Sequence, residues 1–359
     1  MKVVVTGTRG IPNVMGGVET HCEELCPRLA AAGVDVTVVR RSNYVSDGLA
    51  EWKGVKLKDI PAPRKKAFEA IVHTWRAINF AARQHADIVH INAVGPALLA
   101  PYAKMRGLKV VFTHHGPDYD REKWGRAAKT MLRLGERMGV KHADEVIVIS
   151  DVIRNIIREK HGRTERVHLI YNGVPAPDVC DYPEYFSELE IEPGKYVLGM
   201  CRFVPEKRLQ DLVEACKGLQ GYKLVLAGDT DFEDDYSRKL KADAKEAGAV
   251  LTGFIRGRKL HSLLSHAACY VLPSSHEGLP IALLEAMSYG CKVLVSNIPA
   301  NLEIGLPEEN YFRCGNVSQL RSRLDALLSA GTAPQYDMTK YDWDRIAGQV
   351  KQVYESQNI

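Results

Sequence analysis

The stretch "CYVLPSSHEGLPIALLEAM", residues 269–287, decides the fold. It opens on a short apolar run bounded by turn residues, the pattern of a buried strand. Pro280 follows the turn and suits a first helical position, where its missing N–H would be unpaired anyway. The apolar residues after it predict a helix over 280–289, with Gly290 as its stop. Strand, loop and helix in that order make one unit of an α/β fold. Glu277 and Gly278 fall in the loop, and Glu285 falls in the helix's second turn among Leu283, Leu284, Ala286 and Met287. A carboxylate among leucines is costly unless its oxygens accept hydrogen bonds, and ligand hydroxyls are candidate donors. Two plainer roles stay open: Glu277 complementing the helix dipole, and Glu285 on a wet helix face.

The same alternation runs outward in both directions. "KVVVTG", "VDVTVVRR", "ADIVHIN", "LKVVFTHHG", "ADEVIVIS" and "ERVHLIYNGV" are strands interleaved with helical stretches, including one near 124–141. Residues 175–194, rich in Pro and acids, interrupt the pattern and are expected to be a linker. Alternation restarts with "YVLGMCRF", "YKLVLAGD", "VLTGFI", "CYVLPSS" and "KVLVSN", and the chain closes on a helix anchored by Trp343 and Ile346. A length of 359 residues fits two such domains. The expected boundaries are 1–174 and 175–340, with the helix at about 341–359 returning to the first domain.

Composition narrows the class. Hydrophobic residues make up 45% and charged residues 26%, the balance of a water-soluble globular protein. No stretch approaches the roughly 18 consecutive apolar residues that span a bilayer, and "MKVVVTGTRG" is read as a first strand rather than a signal peptide. The eight cysteines form no CxxC pair, so reduced thiols in the cytoplasm are expected. The net charge of +4 is uneven: residues 1–172 hold 28 Lys and Arg against 18 Asp and Glu, leaving 20 against 26 for the rest. A basic first half favours an anionic partner. Arg64, Lys65 and Lys66 precede a helix carrying Phe68, Ile71, Val72, Trp75, Ile78 and Phe80. That helix is expected to pack on the sheet, with a membrane-surface helix as the alternative.

Other stretches carry charge or glycine at strand ends. Arg202 and Lys207 lie in the loop after "YVLGMC", where a planar fork and a point charge could neutralise a diphosphate, or simply pair with Glu206 and Asp211. In "GTRGIPNVMGGVETH", a structural turn explains Gly7 and Gly10, whereas Gly16–Gly17 before a helix would let a ligand approach the backbone. The second strand ends in Arg40–Arg41, where a nicotinamide site would want an acid. His114 and His115 end one strand and face opposite ways, so one of them is expected at the site. No metal is expected there, nor at Asp229 and Asp231, which are read as a solvated loop. His21, Cys22 and Cys26 share one helix and need no ligand.

Taken together, Glu277-x7-Glu285, Arg202-x4-Lys207, "IYNGV" at 170–174 and the Gly16–Gly17 loop resemble the retaining glycosyltransferases of family 4. "GTRGIPNVMGGVET" and "GPDYDREKW" are similar to a bacterial surface-polysaccharide subgroup of rhamnosyl- and mannosyltransferases. The resemblance implies the GT-B fold, two Rossmann-like domains facing across a cleft. It also implies a metal-independent hexosyltransferase, using a GDP-, UDP- or dTDP-sugar and a glycan acceptor, expected to be lipid-linked, in polysaccharide or lipopolysaccharide synthesis. It assigns Glu277 to the donor sugar and Glu285 to the ribose. Arg202 and Lys207 go to the diphosphate, helped by amides at Gly16 and Gly17 and by the loop backbone around Gly278, Leu279 and Pro280. Gly253 and Ile255 go to the base, His115 to the donor sugar, and Arg9 and His114 to the acceptor. Arg208 departs from the family, where many members have glycine. The place expected is the cytoplasm, possibly against the inner membrane face, with no nucleic acid as partner. A nucleotide-sugar 2-epimerase and a non-catalytic sugar-nucleotide-binding protein are the alternatives.

Overall fold

The computed structural model describes residues 1–63, 66–120, 125–230, 233–331 and 334–356. Arg64, Lys65, Asp231 and residues 121–124 of "GPDYDREKW" lie outside the described residues. The chain forms two compact units, Met1–Gly173 with Lys340–Ile359, and Val174–Thr339.

In the first unit, strands β1 (Lys2–Thr6), β2 (Asp35–Arg41), β3 (Glu51–Trp52), β4 (Val55–Ile60), β5 (Ile88–Asn92), β6 (Lys109–His114), β7 (Glu145–Val148) and β8 (Val167–Leu169) form one sheet. Their order is β3-β4-β2-β1-β5-β6-β7-β8, parallel throughout except at the β3 edge. The strands are linked by α1 (Gly17–Ala31), α2 (Lys66–Arg83), α3 (Ala100–Met105), α4 (Arg126–His142) and α5 (Asp151–His161). Alternation along the strands separates two faces. Val3, Val5, Val36, Val38 and Val111 share one apolar cluster with Cys22, Leu25, Cys26 and Leu29 of α1. Phe112 points the other way, where a Cβ at Gly139 of α4 would collide with it.

The second unit contains β9 (Tyr196–Met200), β10 (Lys223–Ala227), β11 (Val250–Gly253), β12 (Cys269–Leu272), β13 (Val293–Ser296) and β14 (Tyr311–Phe312). They run parallel in the order β11-β10-β9-β12-β13-β14. Its helices are α6 (Pro183–Glu188), α7 (Leu209–Cys216), α8 (Asp235–Glu246), α9 (Arg258–His266), α10 (Ile281–Ser288), α11 (Pro299–Leu302) and α12 (Val317–Ser329). Strand order reverses between β1 and β5 in the first sheet and between β9 and β12 in the second. Such switch points leave a crevice at the strands' carboxyl ends, where open α/β sheets bind ligands.

Two local outcomes differ from expectation, and the departure at Arg208 gains an explanation. Residues 175–194, expected to be a linker, fold into the second unit, with α6 burying Tyr185 and Phe186. Helix α2 forms, but its apolar residues do not share one inward face. Ala77, Ile78 and Ala81 pack inward beside buried Glu69, His73 and Thr74, while Phe68 and Trp75 are exposed. Of the three polar residues, Glu69 is satisfied, accepting from Arg41 at 3.3 Å and from the Tyr44 hydroxyl at 3.1 Å. Both His73 nitrogens and the Thr74 hydroxyl have no hydrogen-bond partner among the described residues. Arg208 adopts a left-handed conformation with φ +50°, which explains why glycine suits this position. Its guanidinium is held by Asp211 at 2.7 Å.

Helix α13 (Trp343–Glu355) belongs to the first unit and packs on α1. Asp342 caps it by accepting from the Arg345 amide at 2.8 Å. Trp343, Ile346, Val350 and Tyr354 join the α1 cluster. Gly173 is required here, because a Cβ would run into the Trp343 ring and the Tyr341 carbonyl. Trp343→Ala is therefore expected to destabilise the first unit by about 3–5 kcal/mol, the range for emptying a buried aromatic site. Urea unfolding followed by far-ultraviolet circular dichroism reads this directly.

Candidate functional site

In the second unit the predicted cations and acids come together because β9 and β12 are neighbours. The loop after β9 carries Arg202 and Lys207, and the loop after β12 carries Glu277. Ser275 stitches the loops by donating its amide (2.8 Å) and its hydroxyl (3.2 Å) to the Glu206 carbonyl. One residue on from Glu206, Lys207 Nζ meets Glu277 Oε1 at 2.5 Å, with both side chains largely sheltered. Arg202 is half-buried at the head of the same loop. Beneath lies Tyr270, whose hydroxyl donates to the Met200 carbonyl at 3.3 Å. Burial pushes that phenol well up, and the charges of Cys201, Glu277 and Glu285 add to the effect. Burial likewise pushes the Cys201 thiol up to about 12, opposed by Lys207 and Arg202. Glu285 is half-buried on α10, and its charge acts on Tyr270.

Pro280 is the residue preceding α10 rather than its first helical residue, one position earlier than expected, and Gly290 ends the helix with φ +71°. Leu279 is buried and Gly278 half-buried. Gly253 ends the edge strand β11, its carbonyl accepting from the Gly228 amide at 2.9 Å, and Ile255 follows half-buried. Asp229 pairs with Lys241 at 2.8 Å, so this acidic loop is a charge-paired one.

In the first unit, the switch point brings together the loops after β1, β5 and β6. A Cβ on Gly7 would strike the Asn92 backbone, so glycine there permits the close approach of two loops. Gly16 precedes α1, and a side chain there would strike Glu19 and Arg9. Gly17 has no such constraint: a Cβ would meet nothing within 4 Å. Arg9 is tied to Glu19, through its amide at 2.9 Å and its guanidinium at 3.3 Å, and lies over the Tyr44 ring.

The two histidines at the end of β6 separate as strand alternation requires. His115 turns toward α1, donating Nε2–H to Asn92 Oδ1 at 2.8 Å, with the His21 ring 4.8 Å away. His21 donates Nδ1–H to Asn172 at 2.7 Å, and its Nε2 has no partner among the described residues. His114, expected beside the acceptor, is instead completely buried. Its Nε2 binds Glu136 at 2.8 Å and its Nδ1 accepts from the Gly116 amide at 3.1 Å, so no ring nitrogen is left for a ligand. Tyr119 and His161 also bind Glu136, which is held down to about 2: the bonds to His114, His161 and Tyr119 outweigh a burial penalty acting the other way. Asn92, Asn172, Tyr270 and Ser275 escaped sequence reasoning, which gives His21 only as a helix residue that needs no ligand. Each is an ordinary core or loop residue whose relevance comes from a partner far along the chain.

Burial pushes His21 down to about 4 and His90 to about 3, and drives His115 well below its ordinary value, so all three rings are neutral near pH 7. An unfolded histidine takes up its proton near 6.5, whereas the folded rings refuse it until far lower pH. Stability is therefore complete above about 6.5 and falls as pH drops from there toward 4, by up to about 1.4 kcal/mol per pH unit for each ring. Urea midpoints compared at about pH 6.5 and about pH 5 should show this decline before ordinary carboxylates titrate; equal midpoints would contradict it.

Comparison with known proteins gives these arrangements a family. The model of glycosyltransferase family 4 matches residues 15–176, and that of the glycosyl transferases group 1 matches residues 181–355. An uncharacterised glycosyltransferase, YqgM, of Bacillus subtilis is 29% identical over 58% of this chain and 58% of its own length. A UDP-Gal:alpha-D-GlcNAc-diphosphoundecaprenol alpha-1,3-galactosyltransferase of Escherichia coli is 27% identical over 61% of this chain and 60% of its own. Among solved structures, sucrose-phosphate synthase from Thermosynechococcus elongatus has a TM-score of 0.85 at 20% identity, covering 99% of this chain and 98% of that one. Anabaena HepE in complex with UDP-glucose has a TM-score of 0.76 at 18% identity, covering 100% and 98%. The two sheets have the GT-B type of fold, and the chain belongs to the family 4 glycosyltransferases.

Proposed function

We propose that this glycosyltransferase moves a hexose from a nucleotide-diphosphate sugar to a glycan acceptor carried on a lipid, with retention at the anomeric carbon, in bacterial surface-polysaccharide synthesis at the cytoplasmic side of the membrane. The contact between Lys207 and Glu277 carries the proposal, because it sets a cation for phosphate and an acid for sugar hydroxyls side by side at a switch point. Support for the donor class comes from HepE, solved with UDP-glucose, and from the Escherichia coli relative named for UDP-Gal. That relative's diphosphoundecaprenol substrate supports the lipid-linked acceptor.

When the bond from the anomeric carbon to the diphosphate breaks, negative charge grows on the leaving phosphate and positive charge on the sugar. In this reading Arg202 and Lys207, both on the loop after β9, meet the first, which lowers the barrier electrostatically. Two fixed cations supply the neutralisation that a divalent metal gives in other transferases, so transfer is metal-independent. Glu277 released from Lys207 by the incoming phosphate accepts from sugar hydroxyls, Glu285 accepts from the ribose, and Gly253 and Ile255 flank the base. Gly278, Leu279 and Pro280 shape the loop at the phosphates. In the first unit, His115 and the open backbone at Gly17, with Gly16, serve the reacting sugar, and Arg9 serves the acceptor. Neutral His115 is held with Nε2–H on Asn92, which leaves Nδ1 as the acceptor for a sugar hydroxyl.

Glu277→Ala and Arg202→Ala should each lower kcat by roughly a hundredfold to a thousandfold, measured as release of nucleoside diphosphate in the presence of acceptor. Excess chelator should leave the wild-type rate unchanged. Full activity in both variants would refute the assignment. So would conversion of the sugar into its epimer with no acceptor present.

A further inference from the structure

Helices α2, α3 and α4 follow one another across one face of the first sheet. Asn79 of α2 accepts from the Tyr102 hydroxyl of α3 at 2.8 Å and from Arg106 just beyond α3 at 2.7 Å, and α3 packs on α4. Their outer side is unusual in two respects. It exposes large apolar groups: Phe68 (54%) and Trp75 (48%) on α2, Met105 (82%) on α3 and Leu134 (46%) on α4, with half-buried Ile71 and Val72 beside the first two. It also shows no outward acid. The three helices contain nine Lys and Arg but only two acids, Glu69 and Glu136, both buried and bonded inward. On α4, Arg126, Arg133, Arg137 and Lys141 are spaced seven, four and four residues apart, which aligns them as one exposed stripe. None of these four has an ion-pair partner among the described residues.

We propose that this outer face of α2, α3 and α4 is a docking surface for a membrane rich in anionic lipid. Aromatic and aliphatic side chains on a helix flanked by unneutralised cations are the composition of an interfacial segment, the apolar groups entering the headgroup boundary and the cations meeting lipid phosphates. A nucleic acid would also meet the cations, but single-strand binders interleave aromatics with charge for stacking. Here the apolar group centres on α2 and the cation stripe on α4, which suits a broad planar surface. Docking depends only on these helix faces, so it can fail while sugar transfer stands, and the reverse.

The test is sedimentation of the full chain with vesicles of phosphatidylcholine alone, or containing about 40 mol% phosphatidylglycerol, at near-physiological salt. The protein should sediment with the anionic vesicles and remain in solution with the neutral ones. Arg133→Glu with Arg137→Glu, and separately Phe68→Ser with Trp75→Ser, should each weaken binding by about tenfold or more, with thermal midpoints kept close to wild type. Equal binding to both vesicle types, or wild-type binding by both folded variants, would overturn the proposal. Tight binding to duplex DNA with none to anionic vesicles would also overturn it and assign the face to nucleic acid.

Discussion

The second unit depends on one juxtaposition, the meeting of Lys207 with Glu277 above neighbouring strands β9 and β12. Two charges this sheltered are expensive singly and tolerable together, because each removes the other's need for water. The pair therefore keeps a cation and an acid in place side by side, and under the proposed function the two divide between phosphate and sugar. The bonds from Ser275 to the Glu206 carbonyl keep the two loops in register, and Tyr270 closes the floor below them. The geometry is thus a consequence of strand order: had β12 not been placed beside β9, these loops would not touch.

The first unit solves a different problem. It collects histidines near its own switch point and keeps them uncharged by burying them. His115 is oriented through Asn92, His21 through Asn172, and His90 through Tyr354 of α13 and Thr113. The other histidine of the pair, His114, is used for architecture. Its bond to Glu136, shared with Tyr119 and His161, ties the loop after β6 to α4 and α5. One sequence dipeptide therefore serves two roles, divided by the alternation of the strand that carries it.

The strand–helix alternation, the motif loops and the return of the last helix were all legible, since each rests on local periodicity or punctuation. Which loops meet was not, because strand order is a long-range property that no single segment encodes. Likewise the apolar residues of α2 announced a helix but not its orientation. Glu69 can sit on the inward side because Arg41 and Tyr44, on and just beyond β2, satisfy it. Glu136 carries no signal in the sequence, because its partner His114 lies 22 residues away on another element. The strand β4 was legible in principle, since "VKLKDI" alternates, but its burial pattern is clear only with β2 beside it.

The central claim is that the charges at positions 207 and 277 jointly receive a nucleotide-diphosphate sugar, and thermal denaturation against a panel of UDP-, GDP- and dTDP-sugars tests it most directly. Near one hundred times the dissociation constant, a bound ligand adds about 2.7 kcal/mol to stability. The account predicts that one nucleotide series raises the melting temperature of the native protein and loses that effect in Lys207→Ala. A rise of the same size in Lys207→Ala, or no response to any of the three series, would contradict it.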